Sequence, residues 1–258
     1  SNNTNNKSST ATTTTTTTTT TNDSTLKQGA YGKVQIHGHS KFDRFKRIDE
    51  VFAAVWYKFG VPMPNKVDTS DPDVKFCDDM LVKVSRSFCA VIRQLPKGLC
   101  ADIMIFYLAL RALDTIEDDM EAFKGKEHVK IDLLNNFYKT GLVTPNWSMD
   151  GVGEADEKVL LQNYHHCVNV FNKLSTNNQN IIADITKRMG QGMAKFVEKD
   201  LGQGTVKIID YNEYCHYVAG LVGWGLSDLF VAGGFEDDIV KVDKKVSNNM
   251  GLFLQKTN

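Results

Sequence analysis

One long apolar segment decides the fold of this chain: it reads IFYLALRALDTIEDD from Ile105 to Asp119. Its polar residues form a regular series, spaced four, three and four apart: Tyr107, Arg111, Asp114 and Asp118. On an α-helix this spacing places the four side chains in a single stripe, with one turn between the two carboxyl groups. Because apolar residues cover the other faces, we expect the stripe to face other parts of the protein rather than open water.

The two carboxyl groups of this stripe are candidate metal ligands. Asp114 and Asp118 would repel each other at this spacing unless a cation lay between them. Mg²⁺ prefers oxygen ligands and often combines one or two carboxylates with phosphate oxygens of a substrate, and Glu117 could reach the same ion. An acidic helix end exposed on the surface is the alternative interpretation.

The rest of the chain also has helical periodicity. Helices are predicted at about residues 42–60, 72–95, 99–123, 131–138, 155–174, 179–198, 210–231 and 244–258. The second begins at Asp71-Pro72, a cap residue followed by an early proline. Alternating strand patterns are nearly absent, so we predict an all-α helical bundle with any functional site in its interior.

Composition and charge exclude several classes of protein. The chain has 258 residues, with 30 Lys and Arg against 31 Asp and Glu, so it has no electrostatic footprint for nucleic acid. Residues 1–30 are rich in Asn, Ser and Thr and are predicted to be a disordered tail, which leaves 31–258 as the folded domain. The 5 scattered cysteines are typical of buried thiols. No unbroken apolar run reaches the length of a membrane span.

A second polar motif is the stretch Ser85-Arg86-Ser87-Phe88, which lies within an apolar helical pattern. A guanidinium group binds phosphate oxygens with two parallel hydrogen bonds, and hydroxyl groups add further donors. The motif is therefore either an anion-binding element or an exposed arginine whose aliphatic stem covers apolar surface.

A third motif, from Tyr211 to Gly225, contains three glycines within a helical pattern: Gly220, Gly223 and Gly225. Each costs about 1 kcal/mol relative to Ala inside a helix, so the glycines must provide space, either for close helix packing or for a bulky apolar ligand. Tyr214 enters this region, where a phenol can move a proton or stabilise a cation with its ring. Plain core packing is the alternative.

Four motifs follow one another in the order found in one enzyme family. They are Ser85–Phe88, Phe106–Met120, Tyr214–Gly223 and Met250–Asn258. In these motifs the chain resembles the eukaryotic squalene synthase (farnesyl-diphosphate farnesyltransferase) family, and the resemblance extends from about His37 to Asn258.

The resemblance implies an all-α isoprenoid synthase fold and a reaction in two steps. Two molecules of farnesyl diphosphate condense head to head to presqualene diphosphate with Mg²⁺, and NADPH then reduces this product to squalene for sterol biosynthesis. It implies that Asp114, Glu117 and Asp118 bind the metal and that Tyr214 is the catalytic residue. The substrate- and cofactor-binding positions that it implies are Arg86, Ser87, Phe88, Tyr107, Arg111, Gln255 and Asn258.

The family also has a second aspartate-rich motif and a C-terminal anchor in the endoplasmic reticulum membrane, with the enzyme on its cytoplasmic face. Because this chain stops at Asn258, just before the place of the second motif, we expect a soluble N-terminal fragment that is inactive alone. Two other functions stay open. One is a catalytically silent helical or partner-binding protein, and the other is a phytoene-synthase-like condensing enzyme without NADPH, which the Tyr214–Gly223 stretch disfavours.

Overall fold

A computed structural model describes Phe52 and residues 67–85, 87–199 and 207–257 of this chain. The chain divides into two compact units, Ser1–Val61 and Pro62–Asn258, and every helix given below lies in the second. The predicted N-terminal tail falls outside the described residues, and so does the predicted helix at 42–60 apart from Phe52, which is helical. The described residues contain no strand, in agreement with the predicted all-α class.

The helices of the second unit have the following bounds: α1 Pro72–Val84, α2 Phe88–Ile92, α3 Lys97–Asp118, α4 Glu127–Thr140, α5 Ala155–Gln162, α6 His165–Phe171, α7 Thr176–Glu198, α8 Ile208–Cys215, a π turn at His216–Gly220, α9 Leu221–Ala232, α10 Ile239–Val242 and α11 Lys244–Thr257. The segment quoted at the outset forms most of α3. This helix packs against α1, α4, α5, α6, α7 and α9, and most of its side chains are buried in the core.

The first helix begins as the sequence predicts, but it ends earlier. Asp71 is the N-cap, its carboxylate accepts a hydrogen bond from the Asp73 N–H, and Pro72 takes the first helical position. The prediction of a single helix to residue 95 was wrong, because α1 ends at Val84 and the short α2 begins at Phe88. The serine–arginine motif is thus the break between two helices rather than part of one.

Two further boundaries differ from the sequence prediction. Helix α3 ends at Asp118 instead of residue 123, because the Asp119 carboxylate accepts the Glu121 and Ala122 N–H groups and turns the chain. The segment predicted as one helix over 155–174 is α5 and α6, which are separated at Asn163 and Tyr164. Tyr164 is fully buried, so packing of its side chain decides a break that periodicity does not show.

The glycines of the third motif serve close helix packing. A Cβ atom added to Gly223 would lie 2.6 Å from the backbone oxygen of Ser247 on α11, and one added to Gly225 would lie 2.5 Å from the ring of Phe106 on α3. A Cβ atom at Gly220 would collide with Asn248. Of the two purposes that the sequence left open, space for packing is the one that the structure confirms.

Helices α8 and α9 and the π turn between them form one continuous helix of 25 residues, Ile208–Ala232. Among the described residues, this is the one helix that is long and apolar enough to cross a membrane. This helix still contains no unbroken apolar run of that length, because polar residues such as Asn212, His216 and Asp228 interrupt it. In this structure the helix packs on α7 and α11, and its Asp228 lies 3.7 Å from Lys244 of α11.

Candidate active site

The C-terminal half of α3 carries the predicted polar stripe. Asp114 is half-buried and Asp118, the last residue of the helix, is exposed. Neither carboxyl group has a hydrogen bond or an ion pair with another described residue. Two carboxyl groups one turn apart thus have no hydrogen-bond or ion-pair partner in the part of the chain that the structure describes.

Burial makes this end of α3 unfavourable for negative charge. The pKa of Asp114 is raised to about 8, mainly by burial; Arg111 opposes this shift, and the neighbouring carboxyl groups of Asp118 and Glu117 add to it. Burial and then Asp118 raise the pKa of Glu117 to about 7. Burial also raises the pKa of Asp118. A cation bound here would remove the repulsion that these shifts report.

The donor set fits a metal ion that is completed by a ligand. Among the described residues, no group of three or more His, Cys, Asp or Glu side chains is arranged to hold a metal by itself. Asp114 and Asp118 have free oxygen atoms, which are the donors that Mg²⁺ takes when substrate phosphates supply other positions. The residues present therefore fit a shared Mg²⁺–diphosphate site better than an all-protein metal cage.

Arg111 supplies positive charge beside these carboxyl groups. Its Nη2 donates to the Tyr107 hydroxyl at 3.1 Å, and that hydroxyl donates to the Val84 carbonyl at 3.3 Å. Its Nη1 lies 3.6 Å from a carboxylate oxygen of Glu157, and its Nε is buried without an acceptor among the described residues. Burial opposes the charge of Arg111, but Tyr107, Asp114 and Glu157 outweigh it and raise the arginine pKa.

Tyr214 reaches the same helix end from α8. Its hydroxyl lies 3.4 Å from both carboxylate oxygens of Glu117, and its ring packs edge-on against Phe196 at a centroid distance of 5.3 Å. Burial raises the pKa of this phenol, and Glu117, Asp118 and Asp114 raise it further. The phenol is therefore neutral at pH 7, and the ionised form of Glu117 is positioned to accept its proton.

The π turn His216–Gly220 follows Tyr214 directly on the same helix. Such turns within α-helices often occur at functional sites. Tyr217 in this turn packs so closely on Gly192 of α7 that a Cβ atom there would collide with its ring. The contact holds the helix that carries Tyr214 against α7.

Two residues that belong to the site carried no signal that we used in the sequence. Lys130 of α4 is 3% exposed, and its ammonium group donates to the Glu117 backbone oxygen at 2.6 Å. It thus places a positive charge at the C-terminus of α3, where carbonyl groups lack helical partners. Glu157 of α5 pairs with Arg111, as described above. Each lies far along the chain from the acidic stripe, so helical spacing could not reveal it.

The remaining predicted residues are less closely tied to this centre. Phe88 is 59% exposed, and its ring centroid is 6.0 Å from that of Tyr107, so it borders the site. Ser87 is exposed beside it. Gln255 is half-buried on α11, and its side chain makes no hydrogen bond to another described residue, those of the α3 stripe included. Arg86 and Asn258 lie outside the described residues.

Comparisons with known proteins agree with this fold. A solved complex of TcSQS with the ligand BPH1237 superposes with a TM-score of 0.67 at 42% identity, over 73% of this chain and 53% of that chain. The all-helical isoprenoid synthase fold is thus the class to which the structure belongs. The family model for squalene/phytoene synthase matches residues 81–258, and the chain belongs to that family.

Curated relatives are similar over most of this chain. Squalene synthase BSS of Botryococcus braunii is 48% identical over 201 residues, which are 78% of this chain and 41% of that protein. Squalene synthase 1 of Panax ginseng is 45% identical over 213 residues, 83% of this chain and 48% of that protein. Squalene synthase ERG9 of Candida albicans is 46% identical over 200 residues, 76% of this chain and 44% of that protein. The chain thus spans about half the length of the relatives that it matches.

Proposed function

We propose that this chain provides a diphosphate-binding part of a squalene synthase. The complete reaction is the Mg²⁺-dependent condensation of two farnesyl diphosphates to presqualene diphosphate, followed by reduction with NADPH to squalene. The observation that carries the proposal is the C-terminal end of α3. There, Asp114 and Asp118 lie near Arg111 and have no hydrogen-bond or ion-pair partner among the described residues. Family membership supplies the reaction class.

The residues of the stripe divide the binding of a diphosphate among them. Asp114 and Asp118 would hold Mg²⁺, which would neutralise the charge on a departing diphosphate when bound. Arg111 would donate to diphosphate oxygens from its unpartnered Nε and from its Nη atoms, and Tyr107 orients the guanidinium group. Binding the leaving group in this way favours breakage of the allylic carbon–oxygen bond.

Tyr214 is the proposed catalytic residue for proton transfer. A neutral phenol can accept a proton from a substrate only as its own proton leaves, and Glu117 is the carboxylate that faces its hydroxyl group. The distance of 3.4 Å is long for an O–H···O hydrogen bond, so the bond must shorten when substrate binds. Lys130 supports the arrangement through the Glu117 carbonyl group.

The NADPH step and the membrane location are carried by the family alone. Of the two arginines among the implied substrate- and cofactor-binding positions, Arg86 lies outside the described residues and Arg111 faces the acidic stripe. The proposal places the complete enzyme on the cytoplasmic face of the endoplasmic reticulum, as expected for the family.

Isothermal titration of this chain with a non-hydrolysable farnesyl thiodiphosphate tests the proposal. We expect Mg²⁺-dependent binding that Asp114→Asn weakens by at least about tenfold, which corresponds to about 1.4 kcal/mol of lost interaction. Asp132→Asn is the matched control, because Asp132 is exposed on α4 and bonds only to Asn136. Binding without metal that Asp114→Asn leaves unchanged would overturn the proposal.

A further inference from the structure

Two arginines of this chain differ in how they contact a carboxylate: Arg93 forms a bidentate hydrogen-bonded pair, and Arg111 does not. Arg93 grips Asp78 with two parallel hydrogen bonds, Nε to Oδ1 at 3.0 Å and Nη2 to Oδ2 at 2.7 Å. This is the fork geometry in which a guanidinium group and a carboxylate bind most strongly. Asp78 is 4% exposed, so its carboxylate is largely shielded from water, while the Arg93 side chain is half-buried.

Arg111 is held differently by Glu157. The closest approach is 3.6 Å from Nη1 to one oxygen, which is outside hydrogen-bond range, and the Nε that a fork would use is buried without an acceptor among the described residues. The Glu157 side chain is 40% exposed, so it can leave for water at little cost. Arg111 and Glu157 thus share one electrostatic contact without a hydrogen bond, whereas Arg93 and Asp78 share two hydrogen bonds.

The position of Glu157 is nevertheless fixed by the fold. Helix α5 begins at Ala155, two residues after Gly153, whose N–H donates to the Asp119 carboxylate at 2.8 Å. Gly153 has a φ of +81° and Ala155 a φ of +45°, a left-handed path that turns the chain into α5 against Thr115 of α3. The first turn of α5 is therefore anchored to the end of α3, which places Glu157 beside Arg111.

We infer that Glu157 is a resident anion on Arg111 and that the diphosphate of a substrate displaces it on binding. This inference rests on the proposed function, because it names a residue that sets the affinity of the same site. A diphosphate can offer Arg111 the two parallel acceptors that Glu157 does not, including one for the buried Nε. Glu157 also adds a negative charge beside Asp114, so its departure makes room for the incoming anion.

Two variants of α5 isolate the contact. Glu157→Gln removes the charge that faces Arg111 and preserves the shape of the side chain. Asp156→Asn removes an equal charge from the preceding residue, which lies 3.9 Å from Lys83 instead. Long-range repulsion of an anion changes similarly in both variants, so the difference between them reports the contact with Arg111.

The probe is inorganic pyrophosphate with Mg²⁺, titrated calorimetrically into the unaltered chain and both variants. We expect Glu157→Gln to bind about three- to fivefold more tightly than the unaltered chain, the strength of a half-exposed ion pair, and Asp156→Asn to differ by less than about twofold. In parallel, phenylglyoxal should modify Arg111 about threefold faster in Glu157→Gln and at an unchanged rate in Asp156→Asn, measured by peptide mass spectrometry.

The outcomes separate this inference from the proposed function. Weaker binding in Glu157→Gln would show that Glu157 positions Arg111 instead of occupying it, and would overturn the inference. Equal binding in all three proteins, or an unchanged rate of Arg111 modification in Glu157→Gln, would overturn it too and leave the proposed function standing. If none of the three proteins binds pyrophosphate, the proposed function fails, and the inference fails with it.

Discussion

Arg93 and Arg111 belong to the same bundle, yet only one of them has its hydrogen-bonding capacity met by a carboxylate. The Arg93–Asp78 pair is bidentate, and it joins the segment after α2 to α1. Arg111 faces Asp114, a carboxyl group that has no partner among the described residues, and touches Glu157 loosely. The contrast teaches that partly buried charge serves structure where it is paired, and marks a candidate site where it is left open.

The largest expected effect is on the closed pair. Arg93→Met should lower the free energy of unfolding by about 3 kcal/mol, because it leaves the buried Asp78 carboxylate without this partner. Arg111→Met should cost less than about 1 kcal/mol, because Arg111 has no bidentate partner to abandon. Urea unfolding monitored by circular dichroism measures both, and equal losses in the two variants would break the comparison.

At the α3 site, by contrast, removal of the Asp114 carboxyl group should raise the free energy of unfolding. The pKa of Asp114 is about 8, well above its ordinary 3.8, so between these values the folded state holds a proton that the unfolded chain has lost. Stability in EDTA should therefore fall as pH rises from about 4 to 8. Asp114→Asn removes the contribution of Asp114 to this dependence, but leaves that of Glu117, and should stabilise the chain by about 2 kcal/mol at pH 8, a value discounted for the solvent that reaches the carboxyl group.

Urea unfolding in EDTA at pH 4 and pH 8 checks this prediction. Asp132→Asn serves as its control, since Asp132 is exposed and should affect both conditions equally. A destabilised Asp114→Asn at pH 8 would show that the carboxylate has a stabilising partner, and Asp114 would then resemble Asp78.

A smaller effect on stability is expected at Gly223, where α9 packs closely against α11. Gly223→Ala gains about 1 kcal/mol of helix propensity, but its Cβ atom would lie 2.6 Å from the Ser247 backbone oxygen, which cannot move alone. We expect a net loss of about 1–2 kcal/mol from this overpacking. Thermal unfolding measures this loss. Gly98→Ala is the matched control, because a Cβ atom at Gly98 would make only ordinary contacts. Gly234 is not suitable as a control, because its φ of +72° would strain any other residue. A stabilised Gly223→Ala would show that the α9–α11 contact can adjust.

The smallest effect on stability is expected at Tyr214. Tyr214→Phe removes a hydroxyl whose contacts with Glu117 are 3.4 Å long, so unfolding should change by less than about 0.5 kcal/mol. Proton transfer in the complete enzyme should nevertheless be lost. A large loss of stability in urea unfolding would place Tyr214 among the structural, closed contacts.

Most of the fold could be predicted from helical periodicity, since almost every predicted helix exists. The boundaries at Val84 and Asn163 could not, because the breaks depend on side chains that meet only in three dimensions. Tyr164 is one example, for it is fully buried against Phe137 and Trp147, from distant parts of the chain. The early end of α3 depends on the Asp119 carboxylate, which binds its own following backbone and Gly153.

The site was predictable to the extent that it lies on one helix. Helical spacing placed Arg111, Asp114 and Asp118 together, and the structure keeps them so. Lys130 and Glu157 were missed because they come from α4 and α5, and a single lysine or glutamate in a helix is ordinary on a surface. Only the packing of those helices against the end of α3 shows that the two side chains belong to the site.

Asp114 is proposed to bind a metal ion together with a diphosphate. Carbon-13 NMR titration of the aspartate carboxyl groups, assigned with Asp114→Asn, tests it most directly. We expect a pKa of about 8 for Asp114 in EDTA, and a much lower pKa when Mg²⁺ and pyrophosphate are present. An Asp114 titration that Mg²⁺ and pyrophosphate leave unchanged would contradict it.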